Sequence, residues 1–151
     1  MMLQIFRFAS IMLTALSLVP AGAHLMELVH KMPMSAEEYL TVQRLYRGWA
    51  WSGVVIMGAL ASTLALAVLV RHQAQAFTLT AVAFACLAGT QILFWTFTFP
   101  VNQATSNWTE LPHHWMQLRQ QWEYSHAASA VLNVLALAAL VAAALLPNGD
   151  R

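Results

Sequence analysis

The stretch AASAVLNVLALAALVAAALL (residues 127–146) decides the fold, because it contains no Asp, Glu, Lys or Arg. A helix needs about 20 residues of this kind to cross the hydrocarbon core of a bilayer. Three further apolar stretches precede it, and the predicted spans are about residues 5–26, 48–70, 77–99 and 127–146. The predicted fold class is therefore all-α. We expect one domain, residues 1–151, forming an integral membrane four-helix bundle whose helices extend beyond the bilayer on one side.

Composition supports this interpretation and excludes several classes of protein. Of the 151 residues 60% are hydrophobic and only 9% are charged, whereas a soluble domain carries about 25% charged residues. The net charge of +1 gives no sign of nucleic-acid binding. A single cysteine, Cys86, excludes an internal disulfide and a cysteine-based metal site. The expected partners are the lipid bilayer and a lipophilic small molecule, and a homo-oligomer stays open.

An even number of spans places both termini on one side of the membrane, called side A here; the opposite side is side B. Side A has short segments carrying Arg7, Arg71 and Arg151. The density of basic residues in these segments favours side A as cytoplasmic, in a multi-pass protein of a bacterial inner membrane. Residues 21–23 (Ala-Gly-Ala) also fit a signal-peptide cleavage site, but three later spans favour a retained first helix.

The two longer segments, residues 24–47 and 100–126, lie on side B and are predicted to be helical. Ser35 and Glu38 have the spacing of a capping box. From Ser35 to Val70 no proline interrupts the chain, which predicts one helix of about 35 residues, roughly 50 Å long. Residues 109–112 likewise predict a helix start, and the third span is expected to end at Phe99, before Pro100.

Residues capable of chemistry concentrate on side B. An aromatic belt should occur at both membrane interfaces, yet side A has no tryptophan, which indicates that side B is specialised. The side-B residues are the histidines His24, His30, His113, His114 and His126, the acids Glu27, Glu37, Glu38, Glu110 and Glu123, and the tryptophans Trp49, Trp51, Trp95, Trp108, Trp115 and Trp122.

The fourth helix carries a polar stripe. Its members recur at helical spacing and are predicted to face the bundle interior, because charged groups facing lipid are costly: Trp115, Arg119, Trp122, His126 and Asn133. Gln91 of the third span lies at a depth similar to that of Asn133. The two amides are therefore expected to form a hydrogen bond between helices.

Two His/Glu pairs suggest a metal site. His24-x-x-Glu27 leaves the first helix and Glu123-x-x-His126 enters the fourth, so both pairs face each other across antiparallel helices. Carboxylate-bridged metal bundles use this ligand set, which makes iron or copper a candidate. Three alternatives stay open: a haem held by the two histidines, metal-free acid–base chemistry, and a buried ion-pair network in which Arg44, Arg47 and Arg119 neutralise Glu27 and Glu123. The cofactor is thus undecided between a metal, haem and none.

Two segments also resemble a known family. FTFPVNQATSNW (residues 97–108) and WMQLRQQWEYSH (residues 115–126) resemble the anthrone oxygenase-like membrane family, in which a Pro-x-Asn follows the third span and an Arg-x-x-Trp-x-x-x-His precedes the fourth. The matching residues are Pro100, Asn102, Arg119, Trp122 and His126. Family members often have a further Arg after the His, where this chain has alanines and a serine.

The resemblance implies oxidation of an aromatic, anthrone-type compound by dioxygen. The expected catalytic residues are His126, Arg119, Glu123 and Asn102, with His126 taking a proton from a phenol and Arg119 holding the resulting anion. The expected substrate-binding residues are Trp108, Trp115, Trp122 and Tyr46. The alternative function is a non-catalytic haem- or metal-binding membrane subunit, or a scaffold for a partner.

Overall fold

A computed structural model describes residues 1–147, so the prediction for Arg151 lies outside the described residues. Within this range the chain forms helices and no strand, which confirms the all-α prediction. The α-helices are α1 (Met2–Lys31), α2 (Ala36–Gln43), α3 (Ser52–Leu69), α4 (Ala74–Leu93), α5 (Phe99–Ala104) and α6 (Trp115–Leu145).

Four helical segments are long and apolar enough to cross a membrane: Met2–Lys31, Trp49–Leu69, Ala74–Ala104 and Trp115–Leu145. They pack as a four-helix bundle in which α1 and α4 each contact both α3 and α6. The first and last segments contain 30 and 31 residues, roughly 45 Å of helix, against a hydrocarbon core of about 30 Å. These features are those of a multi-pass membrane protein.

The half of the bundle towards side A is closed by small and branched apolar residues. Ala59, Ala83, Leu87 and Leu140 are at most 1% exposed. Alanines at helix contacts let neighbouring backbones approach closely, which is how membrane helices associate without a hydrophobic driving force. At the side-B end a second, largely aromatic cluster of Tyr39, Val101, Trp108 and Trp122 is buried, and a cavity lies beside it.

The predicted continuous helix from Ser35 to Val70 is wrong, although its start is confirmed. Ser35 and Glu38 form a complete capping box, and these hydrogen bonds to Ser35 lower the pKa of the exposed Glu38 carboxyl. Helix α2 then ends at Gln43, and the chain turns at Gly48, where φ is +90°. A left-handed residue cannot continue a right-handed helix, so α2 is a separate element that packs over the side-B end of the bundle.

Two other predicted boundaries also differ. The third span does not end at Phe99: a π-helical turn, Phe94–Thr98, leads into α5, where Pro100 occupies the first turn. Pro100 therefore lies inside a continuous helical segment, Ala74–Ala104, and the π-helical turn just before it accommodates a residue that has no backbone N–H to donate. Helix α6 starts at Trp115 rather than at residue 109, after a loop in which Ser106, Asn107 and Trp108 all have positive φ.

Candidate functional site

A cavity of about 660 Å³ opens at the side-B end of the bundle. Aromatic and imidazole rings form part of its walls, and polar side chains lie at its deeper end. The rings include those of His24, Tyr46, Trp49, Trp108, Trp122 and His126, and the polar side chains include Ser17, Gln91, Asn102 and Asn133. The structure therefore gathers residues from α1, α4, α5, α6 and the connections on side B around one space.

Two imidazoles form one wall of this cavity. His24 of α1 and His126 of α6 have ring centroids 4.3 Å apart and planes inclined by 32°. Trp122 packs edge-on against both rings, at 4.8 and 4.2 Å, and Tyr46 lies 4.4 Å from His24. Within the described residues, Nε2 of His126 has no hydrogen-bond partner. His126 thus lines the cavity and has one imidazole nitrogen that no side chain of the described residues engages.

Behind the imidazoles lies a buried ammonium group that the sequence analysis did not anticipate. Nζ of Lys31 lies 2.8 Å from Oε2 of Glu123, 3.5 Å from Oε2 of Glu27 and 3.0 Å from Nδ1 of His24. An ammonium has only donors, so Nδ1 of His24 accepts, and the ring is neutral with its proton on Nε2. Lys31 therefore fixes the tautomer of His24.

Two tyrosines complete this network from outside the membrane segments. Tyr39 of α2 donates to Oε1 of Glu123 at 2.8 Å, and Tyr46 donates to Glu27. Burial, followed by the negative charge of Glu123, raises the pKa of Tyr39 above its usual value of 10.0. Burial and then the hydrogen bond to Glu27 raise the pKa of Tyr46. Both phenols therefore remain neutral donors that hold the carboxylates in place.

Arg119 does not hold a substrate anion at the cavity wall, contrary to its predicted role. Its Nη1 donates to the carbonyl oxygens of Met34 (2.8 Å) and Lys31 (3.4 Å), which lie just beyond and at the end of α1. Its guanidinium lies 4.7 Å from the ring of Trp115. Arg119, packed on Trp115, therefore holds the segment from Lys31 to Met34 in place. Glu123 does not line the cavity either, because it is buried against Lys31.

The predicted stripe on the last helix faces inward, but one of its predicted contacts is wrong. Asn133 accepts a hydrogen bond from Ser17 at 2.8 Å and donates to the carbonyl of Ser129 at 3.0 Å, so it pairs with α1 instead of with Gln91. Asn102 lines the cavity and accepts from Nε1 of Trp122 at 2.8 Å. That bond orients the indole against the two histidines.

The predicted metal ligands come together only in part. Residues 1–147 contain no group of three or more His, Cys, Asp or Glu side chains arranged to hold a metal ion. Lys31 contributes a positive charge among the predicted ligands and engages both Glu123 and His24. Binding of a metal or a haem stays a prediction. It would require the contacts of Lys31 with Glu123 and His24 to rearrange.

Sequence reasoning missed Lys31 and Gln43. It considered Arg44 and Arg47 only as ion-pair partners of Glu27 and Glu123, whereas Lys31 pairs with both acids and the two arginines line the cavity. For Lys31 a signal existed, because it lies seven residues after His24 and four after Glu27 on one helix, and such positions share a face. For the positions of Gln43, Arg44 and Arg47 at the cavity no signal was available, because their placement depends on the turn at Gly48.

Comparison of the chain with protein-family models, with curated proteins and with solved structures found no match. The resemblance to the anthrone oxygenase-like family therefore stays an expectation, and the function has to be argued from the site.

Proposed function

We propose that the protein is a membrane oxidoreductase that uses dioxygen to oxidise a lipophilic phenol or quinol-type aromatic compound. One observation carries the proposal: His126, whose Nε2 has no hydrogen-bond partner within the described residues, lines a cavity that is partly walled by aromatic rings, at one end of the helix bundle. A proton acceptor next to an aromatic-lined space is what activation of a phenol requires.

The cavity suits a flat lipophilic ligand. Its volume of about 660 Å³ falls within the roughly 300–1,000 Å³ of small-molecule sites. Tyr46, Trp49 and Trp122 offer ring faces and edges for stacking. A ligand dissolved in the membrane would reach this space with little loss of apolar contacts.

The chemistry begins with a proton transfer. The phenol O–H of the substrate donates to Nε2 of His126, which accepts the proton as a general base. The Nε2–H of neutral His24 is a donor that can stabilise the phenolate oxygen. The electron-rich anion then reacts with dioxygen. For a substrate with a methylene group, four electrons reduce O₂ while the methylene becomes a carbonyl, and the second oxygen atom leaves as water. A quinol instead gives two electrons and two protons to O₂, which yields a quinone and hydrogen peroxide.

Turnover by the purified chain in lipid nanodiscs tests the proposal. A panel of anthrone, 1-naphthol and a naphthohydroquinone is incubated with ¹⁸O₂, with oxygen uptake and labelled product as readouts. We expect His126→Ala to lower kcat/KM by about 10²–10⁴-fold, the usual contribution of a general base. His72→Ala is the matched control, because His72 is an exposed histidine between α3 and α4.

Two outcomes would overturn the proposal. One is no oxidation of any member of the panel by the wild-type protein. The other is equal kcat/KM in wild type and His126→Ala. Labelled product that disappears only in the His126 variant supports it.

A further inference from the structure

The rim of the cavity carries unneutralised positive charge. Arg44 and Arg47 both line the cavity and are exposed. Among residues 1–147 the ion pairs both involve Lys31, so neither arginine has a carboxylate partner. The nearby acids are already engaged, since Glu123 binds Lys31 and Tyr39, and Glu27 binds Tyr46 and Lys31. The rim can therefore interact with an anion from outside the chain.

A buried N–H donor lines the same cavity without an acceptor. Nε1 of Trp108 has no hydrogen-bond partner within the described residues, and this side chain is only 5% exposed. Trp108 lines the cavity. Buried donors are nearly always paired in folded proteins, so an unpaired donor on a cavity-lining residue indicates an acceptor supplied by a ligand.

The loop that presents Trp108 is held in an unfavourable conformation. Ser106, Asn107 and Trp108 have φ values of 48°, 55° and 60°, a region that residues other than glycine seldom adopt. The hydroxyl of Thr105 accepts from the backbone N–H of Trp108 at 3.0 Å, and the Trp108 ring packs 4.9 Å from Tyr39. These contacts fix the indole N–H at the cavity.

We propose that this rim binds a carboxylate group, so that the substrate is an aromatic carboxylic acid. A carboxylate is acceptor-only and matches two guanidinium groups and one neutral N–H donor. Because the walls are aromatic, the carboxylate belongs to an aromatic compound whose reacting hydroxyl lies deeper, at His126. This inference rests on the proposed function, and it names the class of substrate.

Binding of a matched pair of probes tests the proposal. The probes are 2-anthracenecarboxylate and its uncharged analogue 2-anthracenecarboxamide, titrated into the full-length protein in phosphatidylcholine nanodiscs and followed by fluorescence. We expect the carboxylate to bind at least about tenfold more tightly, as for hydrogen-bonded charge pairs, with the preference reduced by added salt. Equal affinity for the two probes would overturn the proposal.

Variants locate the preference. Arg44→Gln combined with Arg47→Gln should abolish it, whereas Arg71→Gln, which removes one exposed charge from the other end of the bundle, should not. Trp108→Phe keeps the ring but removes the N–H, and we expect it to reduce the preference about threefold to tenfold. Trp51→Phe is its control, because Trp51 is 69% exposed. A preference that survives the double arginine change contradicts the proposal.

A third arm separates a substrate carboxylate from a lipid headgroup. An anionic membrane repels an anionic probe, and the Arg71→Gln variant measures this general effect. After correction for it, the affinity of the wild-type protein for 2-anthracenecarboxylate in nanodiscs containing phosphatidylglycerol should stay within about twofold of its affinity in phosphatidylcholine. Displacement of the probe by phosphatidylglycerol in wild type, and not in the double arginine variant, would assign the rim to a lipid and overturn the proposal.

Failure of this inference can be told apart from failure of the proposed function. Arginine-dependent preference for the carboxylate without oxidation of any phenol would overturn the oxidoreductase proposal and leave the carboxylate site standing. His126-dependent oxidation of phenols without a preference for the carboxylate would do the reverse.

Discussion

Nζ of Lys31 lies 2.8 Å from Oε2 of Glu123, and neither side chain is more than 1% exposed. Lys31 is the last residue of the first membrane helix and Glu123 belongs to the last membrane helix, so this buried ion pair joins those two helices. Hydrogen bonds from Tyr39 to Glu123 and from Lys31 to His24 extend the pair into the wall of the cavity.

Removing one partner of this pair should destabilise the protein more than removing both. Lys31→Met leaves the carboxylate of Glu123 buried without its cation, which we expect to cost about 3–5 kcal/mol in unfolding free energy. Glu123→Met should cost a similar amount, and the double variant should cost less than either single change. Thermal unfolding of the wild type, both single variants and the double variant in the same detergent measures these losses as a double-mutant cycle. Additive losses would show that the two side chains are not coupled.

The raised pKa of Tyr39 predicts a loss of stability at alkaline pH. The folded protein keeps the proton of Tyr39 above pH 10, while the unfolded chain releases it near 10.0, the usual pKa of tyrosine. The unfolded state then binds fewer protons, so the unfolding free energy falls by about 1.4 kcal/mol per pH unit above pH 10, and this contribution is fully present below it.

Tyr39→Phe should therefore have a shallower pH dependence between about pH 10 and 11.5, even if it is less stable throughout. The measurement is the unfolding midpoint against pH. Tyr124→Phe serves as the control because Tyr124 is exposed. The same slope in Tyr39→Phe and wild type would show that Tyr39 titrates alike in both states.

Two glycine-to-alanine changes should alter the unfolding free energy in opposite directions. Gly48 has φ +90°, and an added Cβ would meet nothing within 4 Å, so Gly48→Ala should cost about 1–2 kcal/mol through backbone strain alone. Gly22 is inside α1 with equally open surroundings, and Gly22→Ala should stabilise by roughly 0.5–1 kcal/mol. Chemical or thermal unfolding compares them. A neutral Gly48→Ala would mean that the turn relaxes freely.

The position of Lys31 also predicts low metal occupancy. Its ammonium engages Nδ1 of His24 and Oε2 of Glu123 and repels a cation by its charge. Elemental analysis and an absorption spectrum of detergent-purified protein should show iron, copper and haem well below one per chain. Near-stoichiometric metal or a Soret band, lost in His126→Ala, would instead support the metal or haem hypothesis.

The sequence was sufficient to predict the bundle because each span satisfies the length and hydropathy that a bilayer imposes. The inward stripe on α6 followed from helical spacing, and the approach of His24 to His126 followed from the antiparallel order of their helices. These features depend on periodicity, which a single sequence displays directly.

The details of the cavity could not be predicted, because they depend on departures from regular helix. A left-handed Gly48 folds α2 over the bundle end, and the π-helical turn at Phe94–Thr98 continues the third span past its expected end. Arg119 was predicted to hold a substrate anion, and its position on the inward-facing stripe of the last helix supported that prediction. Spacing does not reveal that carbonyls beyond the end of α1 lie within its reach.

The pairing of Lys31 with Glu123 bears on how the protein is made. The ribosome releases the first helix long before the last one is synthesised, and until then Lys31 has only the half-exposed Glu27 of its own helix as a counterion. The arrival of α6 adds the buried carboxylate of Glu123. Complete burial of the ammonium therefore requires that the first and the last membrane helix have both been made and packed together.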